Sequence, residues 1–131
     1  MILLDTHVWL WLGTEPGRLS ATATAAVSEA LRSGGIAIAS VTLLEIAWLM
    51  SRGRLRLHGL PEPLLVELVE TTGVVVKEVT PTVAGIFAQL PEDLGRDPID
   101  RIIAATARAE GLPLVTRDKR LRRSRLVETV W

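Results

Sequence analysis

Five acids in this sequence stand where a carboxylate can do more than face water. Asp5 closes the apolar run Met1 to Leu4, Glu45 interrupts VTLLEIAWLM, Asp97 and Asp100 open DPIDRIIAATA, and Asp118 stands in LVTRDKRL. Carboxylate oxygens are hard donors suited to Mg²⁺ or Mn²⁺. Three or four of them in one place can hold one or two such ions, which activate water and offset the charge developing on a phosphodiester during in-line displacement. Without a cation the same charges repel and raise one another's pKa. Thr6 and Thr116, close to these acids in sequence, can give them hydroxyls or simply bond locally.

Each acid also has a plain structural use. Asp5 can end a strand as a turn former or helix cap. Asp97 is a good N-cap, Pro98 fits the first helical position, and Asp100 completes a box-like start that favours the helix dipole. Asp118 can likewise cap a short helix. Glu45 is the most informative, because Leu43, Leu44, Ile46, Ala47, Trp48 and Leu49 surround it. A carboxylate there is costly unless it binds a metal or pairs with an arginine.

Other chemistries find little support. The chain has no cysteine, which excludes a thiolate metal site, a cysteine nucleophile and a disulfide framework, and which suits a reducing cytoplasm. His7 and His58 are the only histidines and read as surface residues. The glycines form neither a P-loop nor a dinucleotide fingerprint, and no G-x-S-x-G elbow occurs.

The elements that must position the acids are marked by apolar patterning and stop signals. Met1 to Leu4, Ile36 to Ala39, Val74 to Val79 and Leu112 to Thr116 read as buried strands, with Val127 to Trp131 as a final edge strand. Helices are expected over Leu19 to Arg32, Val41 to Met50, Pro61 to Glu70, Pro81 to Leu90 and Ile99 to Glu110, with a short basic helix after Asp118. Arg52, Arg54 and Arg56 mark a surface turn, and PEDLGRDP a loop. Strands alternating with helices predict a mostly parallel sheet covered on both faces, a three-layer α/β/α sandwich. Ligands of such sheets bind beyond the carboxyl ends of the strands, where Asp5 and Asp118 fall.

With 131 residues, 48% of them hydrophobic, the chain suits one globular domain over 1–131. The N-terminus meets Asp5 at once and lacks a basic lead-in, which argues against a signal peptide, and no apolar run is long enough to span a bilayer. Basic and acidic residues balance at 15 each, yet unevenly. Arg96, Arg101, Arg108, Arg117, Lys119, Arg120, Arg122, Arg123 and Arg125 crowd one stretch against Asp97, Asp100, Glu110 and Asp118. Arg117, Lys119, Arg120, Arg122 and Arg123 can guide a phosphate backbone to the acids, or only keep a solvated helix face soluble. With four Trp, one Phe and no Tyr, aromatic stacking has few candidates, and the WLWL and EIAWLM settings of Trp9, Trp11 and Trp48 favour core or subunit contact.

In LLDTHVWLWL, SVTLLEIAWL, RDPIDRIIAATA and LVTRDKRL, taken in order and spacing, the chain resembles the PIN-domain ribonucleases, and in particular the VapC-type toxins of toxin–antitoxin pairs. By that resemblance Asp5, Glu45, Asp100 and Asp118 match the acidic metal-binding positions, Asp97 matches a further acid of the subgroup, and Thr6 and Thr116 match site-lining polar positions. The resemblance implies Mg²⁺ or Mn²⁺, an RNA substrate, a homodimer, and a small VapB-like antitoxin covering the site. Two other functions fit the residues: a binding module whose acids are structural, and a receiver-type phosphoacceptor. The second needs an acid and a lysine at later strand ends, which this chain lacks.

Overall fold

The computed structural model describes residues 1–131. Five short strands, β1 (Ile2–Leu4), β2 (Ile36–Ala39), β3 (Val75–Lys77), β4 (Leu114–Val115) and β5 (Thr129–Val130), form one sheet in the order β3-β2-β1-β4-β5. Every pairing is parallel. Leu3 stands opposite Ala37 and Leu114, and Leu4 opposite Ile38 and Val115. Because side chains alternate across a strand, neighbours in sequence go to different cores. Leu3, Ala37, Ala39 and Leu114 face one apolar cluster, while Leu4, Ile36, Ile38 and Val115 face the other.

Seven helices cover the sheet: α1 (Thr6–Thr14), α2 (Ala21–Ser33), α3 (Val41–Ser51), α4 (Pro61–Thr72), α5 (Pro81–Gln89), α6 (Pro98–Glu110) and α7 (Lys119–Arg123). Trp9 of α1, Val27 of α2 and Leu68 of α4 fill one cluster, and Val83 of α5 and Ile103 of α6 the other. This is the expected three-layer sandwich. Ala104, Ala105 and Ala107 of α6 lie fully buried with Ala37 and Ala39, so small side chains on both partners let the helix lie close on the sheet. No helix is long and apolar enough to cross a membrane.

The caps explain most of the boundaries. Ser20 accepts from the Ala23 N–H, so α2 begins at Ala21 and leaves Leu19 outside. Thr80 caps α5, and Gly73 and Gly111 end α4 and α6 with φ near +63°, which favours glycine. The strand expected from Leu112 narrows to Leu114–Val115: Pro113 has no N–H for a ladder, though its carbonyl accepts from Leu3 N–H at 2.9 Å. The strand expected over Val74 to Val79 likewise pairs only at Val75–Lys77.

Helix α1 is not foreseen by the apolar pattern. Its residues are apolar on all sides and include Gly13, so no helical stripe marks it. A Cβ at Gly13 would displace the end of the buried Leu68 side chain of α4. Trp9 is fully buried, and its indole N–H donates to the Thr72 hydroxyl at 2.9 Å.

Arg101 belongs to the architecture rather than to a free basic face. Its guanidinium donates to the carbonyls of Leu90 (2.7 Å), Pro91 (2.9 Å) and Gly95 (3.2 Å) and lies 5.6 Å from the Phe87 ring. It thereby ties the loop before α6 to the helix. Replacing it, Arg101→Ala, strands those carbonyls and is expected to cost about 2–3 kcal/mol. Urea unfolding followed by circular dichroism measures this, and an unchanged midpoint would show that the clasp contributes nothing.

Candidate active site

The chain leaves β1 toward β2 on one side and returns to β4 on the other, so β1 and β4 flank the point where strand order reverses. A crevice opens there beyond their carboxyl ends. Asp5 takes the position after β1, its N–H donating to the Val115 carbonyl of β4 at 3.0 Å. Its side chain caps α1: Oδ1 accepts from Thr6 N–H at 2.8 Å, and Oδ2 accepts from the Thr116 hydroxyl at 2.6 Å. The Thr116 oxygen in turn accepts from Asp118 N–H at 3.0 Å. Thr6 and Thr42, both buried, share a hydroxyl–hydroxyl bond of 3.3 Å.

Asp5, Glu45, Asp97, Asp100 and Asp118 all line this crevice, whose volume is about 680 Å³. Asp97 Oδ1 accepts from Ile99 N–H at 2.9 Å, and Asp118 Oδ1 accepts from Arg120 and Leu121 N–H at 2.6 and 3.2 Å. Both acids are therefore helix caps that commit one oxygen each. Glu45 and Asp100 lie inside α3 and α6 and cap nothing. Ser40 precedes α3 without making a side-chain cap.

The electrostatics are those of crowded acids. Burial pushes the Asp100 carboxyl up to about 7, and the charges of Asp5, Asp97, Asp118 and Glu45 push the same way. Burial raises Glu45, against the Thr6 hydroxyl and with the charges of Asp5 and Asp97. Asp5 is raised by burial and by Asp118, while Thr116, Thr6 N–H and His7 act to lower it. As the side chains stand, no three acids or histidines are arranged to hold one ion. Three acids are turned onto helix ends, and mutual repulsion opposes closer approach. The donor set nevertheless fits a hard divalent cation, being all carboxylate oxygen in one crevice.

The PIN domain family profile matches residues 2–125. Over 136 aligned positions, covering 99% of this chain and 98% of its counterpart, the sequence is 40% identical to Ribonuclease VapC22 of Mycobacterium tuberculosis. The chain belongs to the PIN domain family. Solved structures agree on the fold. VapBC2 from Rickettsia felis, bound to a promoter DNA fragment, superposes with a TM-score of 0.73 at 18% identity, over 98% of this chain and 97% of that one. FitAcB from Neisseria gonorrhoeae gives 0.65 at 25% identity, over 98% and 96%.

In this PIN domain the basic residues divide. Arg117 lines the crevice, as does Arg54, which the sequence pattern leaves on a surface turn. The loop after α3 returns Arg54 to the acids, and nothing in RGRLRLHG announces that return. His7, expected at the surface, is exposed but also lines the crevice wall. Lys119, Arg122 and Arg123 line a different cleft, and Arg120 leans over Gly95. Of the tryptophans, Trp9 and Trp11 are buried, whereas Trp48 is half exposed at the crevice mouth.

The raised carboxyls give a stability profile with a definite sign. A folded pKa above the unfolded value means that the folded state binds more protons between the two, so stability falls as pH rises from about 4 to about 7. Asp100 is partly exposed, so solvent screening leaves roughly 1–2 kcal/mol of this penalty at pH 8. Asp100→Asn should therefore be more stable than the parent at pH 8 in EDTA and nearly equal to it at pH 4. Thermal melts across that range test this, and parallel profiles for the two proteins would contradict it.

Proposed function

We infer that residues 1–131 act as one metal-dependent endoribonuclease domain, the toxin of a type II toxin–antitoxin pair, working in the cytoplasm. The observation that carries this is the gathering of five acids from separate segments into one crevice, three of them with raised pKa. The 40% identity to a named ribonuclease supports RNA as substrate. Structures of related folds solved as VapBC complexes support a VapB-like antitoxin as partner.

Asp5, Glu45, Asp100 and Asp118 are the residues to hold Mg²⁺ or Mn²⁺, with Asp97 as a further ligand. Bound there, a divalent cation supplies Lewis acidity, making water a better nucleophile and offsetting charge on the phosphodiester. The chain's own groups prepare that site. Thr116 and Thr6 N–H fix both oxygens of Asp5, while Asp97 and Asp118 each keep Oδ2 free of hydrogen bonds to the chain. Arg54 and Arg117 offer cations to the phosphate among the acids. Without a cation, burial and the charges of the other acids raise the Asp100 carboxyl to about 7, a repulsion that a bound cation would offset.

The reading of the acids as structural draws on the caps made by Asp5, Asp97 and Asp118. It leaves Glu45 and Asp100 without a role, and it predicts RNA binding indifferent to chelator and no cleavage.

Cleavage of a structured RNA pool by the purified chain should require Mg²⁺ or Mn²⁺ and stop in EDTA. Asp5→Asn and Asp100→Asn should each lower the rate by roughly 100-fold or more while circular dichroism shows the fold retained. Full activity in Asp100→Asn, or cutting in EDTA, would overturn the assignment.

A homodimer is proposed from α3, where Leu44 is 70% and Trp48 50% exposed. The WLWL segment contributes little to it, because Trp9, Leu10 and Trp11 are buried within the chain. Light scattering should give twice the 14.3 kDa chain mass, reduced toward monomer by Leu44→Arg. Monomer at every concentration of the parent chain would remove the proposal.

A further inference from the structure

Most cations of this chain have no carboxylate partner. The ion pairs are Arg18 with Glu15, Arg32 with Glu29 and Lys77 with Glu110. Lys119, Arg122 and Arg123, all exposed and unpaired, instead gather around a cleft of about 640 Å³ that also has Thr22, Thr129 and Trp131 in its walls. No acid lines it. Like charges held about one cavity repel, and an anion between them relieves that cost.

The cleft also lies beside the acidic crevice. The Trp131 ring packs tilted against Trp11, 6.2 Å between centroids, and Trp11 lines the crevice. Arg18 and Arg117 lie 4.4 and 5.9 Å from the Trp11 ring centroid. Between the acids and the three free cations with their two threonine hydroxyls there thus lies one packed seam, Arg117 on the buried Trp11 and Trp11 on the half-buried Trp131.

We propose that this cleft is a second RNA subsite, holding the backbone phosphates of the strand that flanks the bond placed in the crevice. Lys119, Arg122 and Arg123 neutralise phosphates, Thr22 and Thr129 donate hydroxyl hydrogen bonds, and the half-buried Trp131 offers an aromatic face for a base. An acidic polypeptide would also meet the cations. Proximity to the crevice and the aromatic face of Trp131 favour a nucleic acid strand. The proposal rests on the nuclease reading above and extends it from the cleaved bond to the flanking strand.

The test compares single-stranded oligoribonucleotides of about 4 and about 14 nucleotides, lengths that span one to several subsites. With Mn²⁺ the parent chain should show a lower KM for the longer one. In Arg122→Glu combined with Arg123→Glu, the ratio of the two KM values should shrink about tenfold, and the salt dependence of binding should become shallower by about 1 to 2 in log–log slope. Trp131→Ala should shrink the ratio less and leave the salt slope unchanged. Arg122→Gln with Arg123→Gln serves if the charge reversal does not fold.

An unchanged ratio overturns the proposal. So does an equal loss on both lengths, which would put these cations at the crevice, or a loss confined to binding of a polyglutamate probe. If the parent chain cuts neither oligonucleotide, the nuclease reading fails separately. Fluorescence anisotropy of the longer one in EDTA then decides: weaker binding by the double variant supports the cleft, and equal binding overturns it.

Discussion

Asp5 is a carboxylate closed off from water at the end of a strand of apolar residues, and such a group is unfavourable unless donors meet its oxygens. The fold meets that demand with two pieces of chain, the start of α1 and the end of β4. Thr6 N–H comes from the first turn of α1, the Thr116 hydroxyl from the end of β4, and Val115 takes up the Asp5 N–H. Satisfying one acid thus fixes where α1 starts and how β1 and β4 are joined at their carboxyl ends. Thr116 then reaches Asp118, so the start of α7 inherits its position from the same group.

Charge is kept apart on this surface. The acids share one crevice with only Arg54 and Arg117 as cationic neighbours, while Lys119, Arg122 and Arg123 surround a cleft without acids. Had the two sets met, they would have neutralised each other as ion pairs, and neither would bind a ligand strongly. Segregation leaves both under strain, which is the condition of surfaces made for a counter-charge. A zero formal total conceals this.

What the sequence discloses depends on whether a feature is local. The strand Ile36–Ala39 is read to the residue because a short apolar run between Gly35 and Ser40 permits little else. The helices with Thr-Pro and Asp-Pro starts are nearly as clear, since capping chemistry lies within four residues, and Gly111 stops the second of them. Helix α1 is hidden because the unbroken apolar run Val8 to Leu12 erases the periodicity that marks a helix. In the site, the acids are legible because a carboxylate at a strand end or within an apolar helix is already anomalous in one dimension. Arg54 is not, because its part in the crevice comes from the path of a loop. Arg101 belongs by sequence to the basic run and instead serves Leu90, Pro91 and Gly95, a role that only the third dimension reveals.

Capping and ligand binding look like rival uses of an acid in sequence, yet they are not alternatives in this chain. Asp97 and Asp118 each give Oδ1 to a helix start, which orients the carboxylate and holds it by strong charge-assisted bonds. Oδ2 is thereby directed without being consumed. The positive ends of the capped helices also oppose the repulsion that crowding creates. A cap at the mouth of a strand-end crevice is therefore a means of aiming an acid among other acids. Asp100 lies inside the first turn of α6 with no cap to make, and burial, together with the charges of Asp5, Asp97, Asp118 and Glu45, raises its carboxyl to about 7.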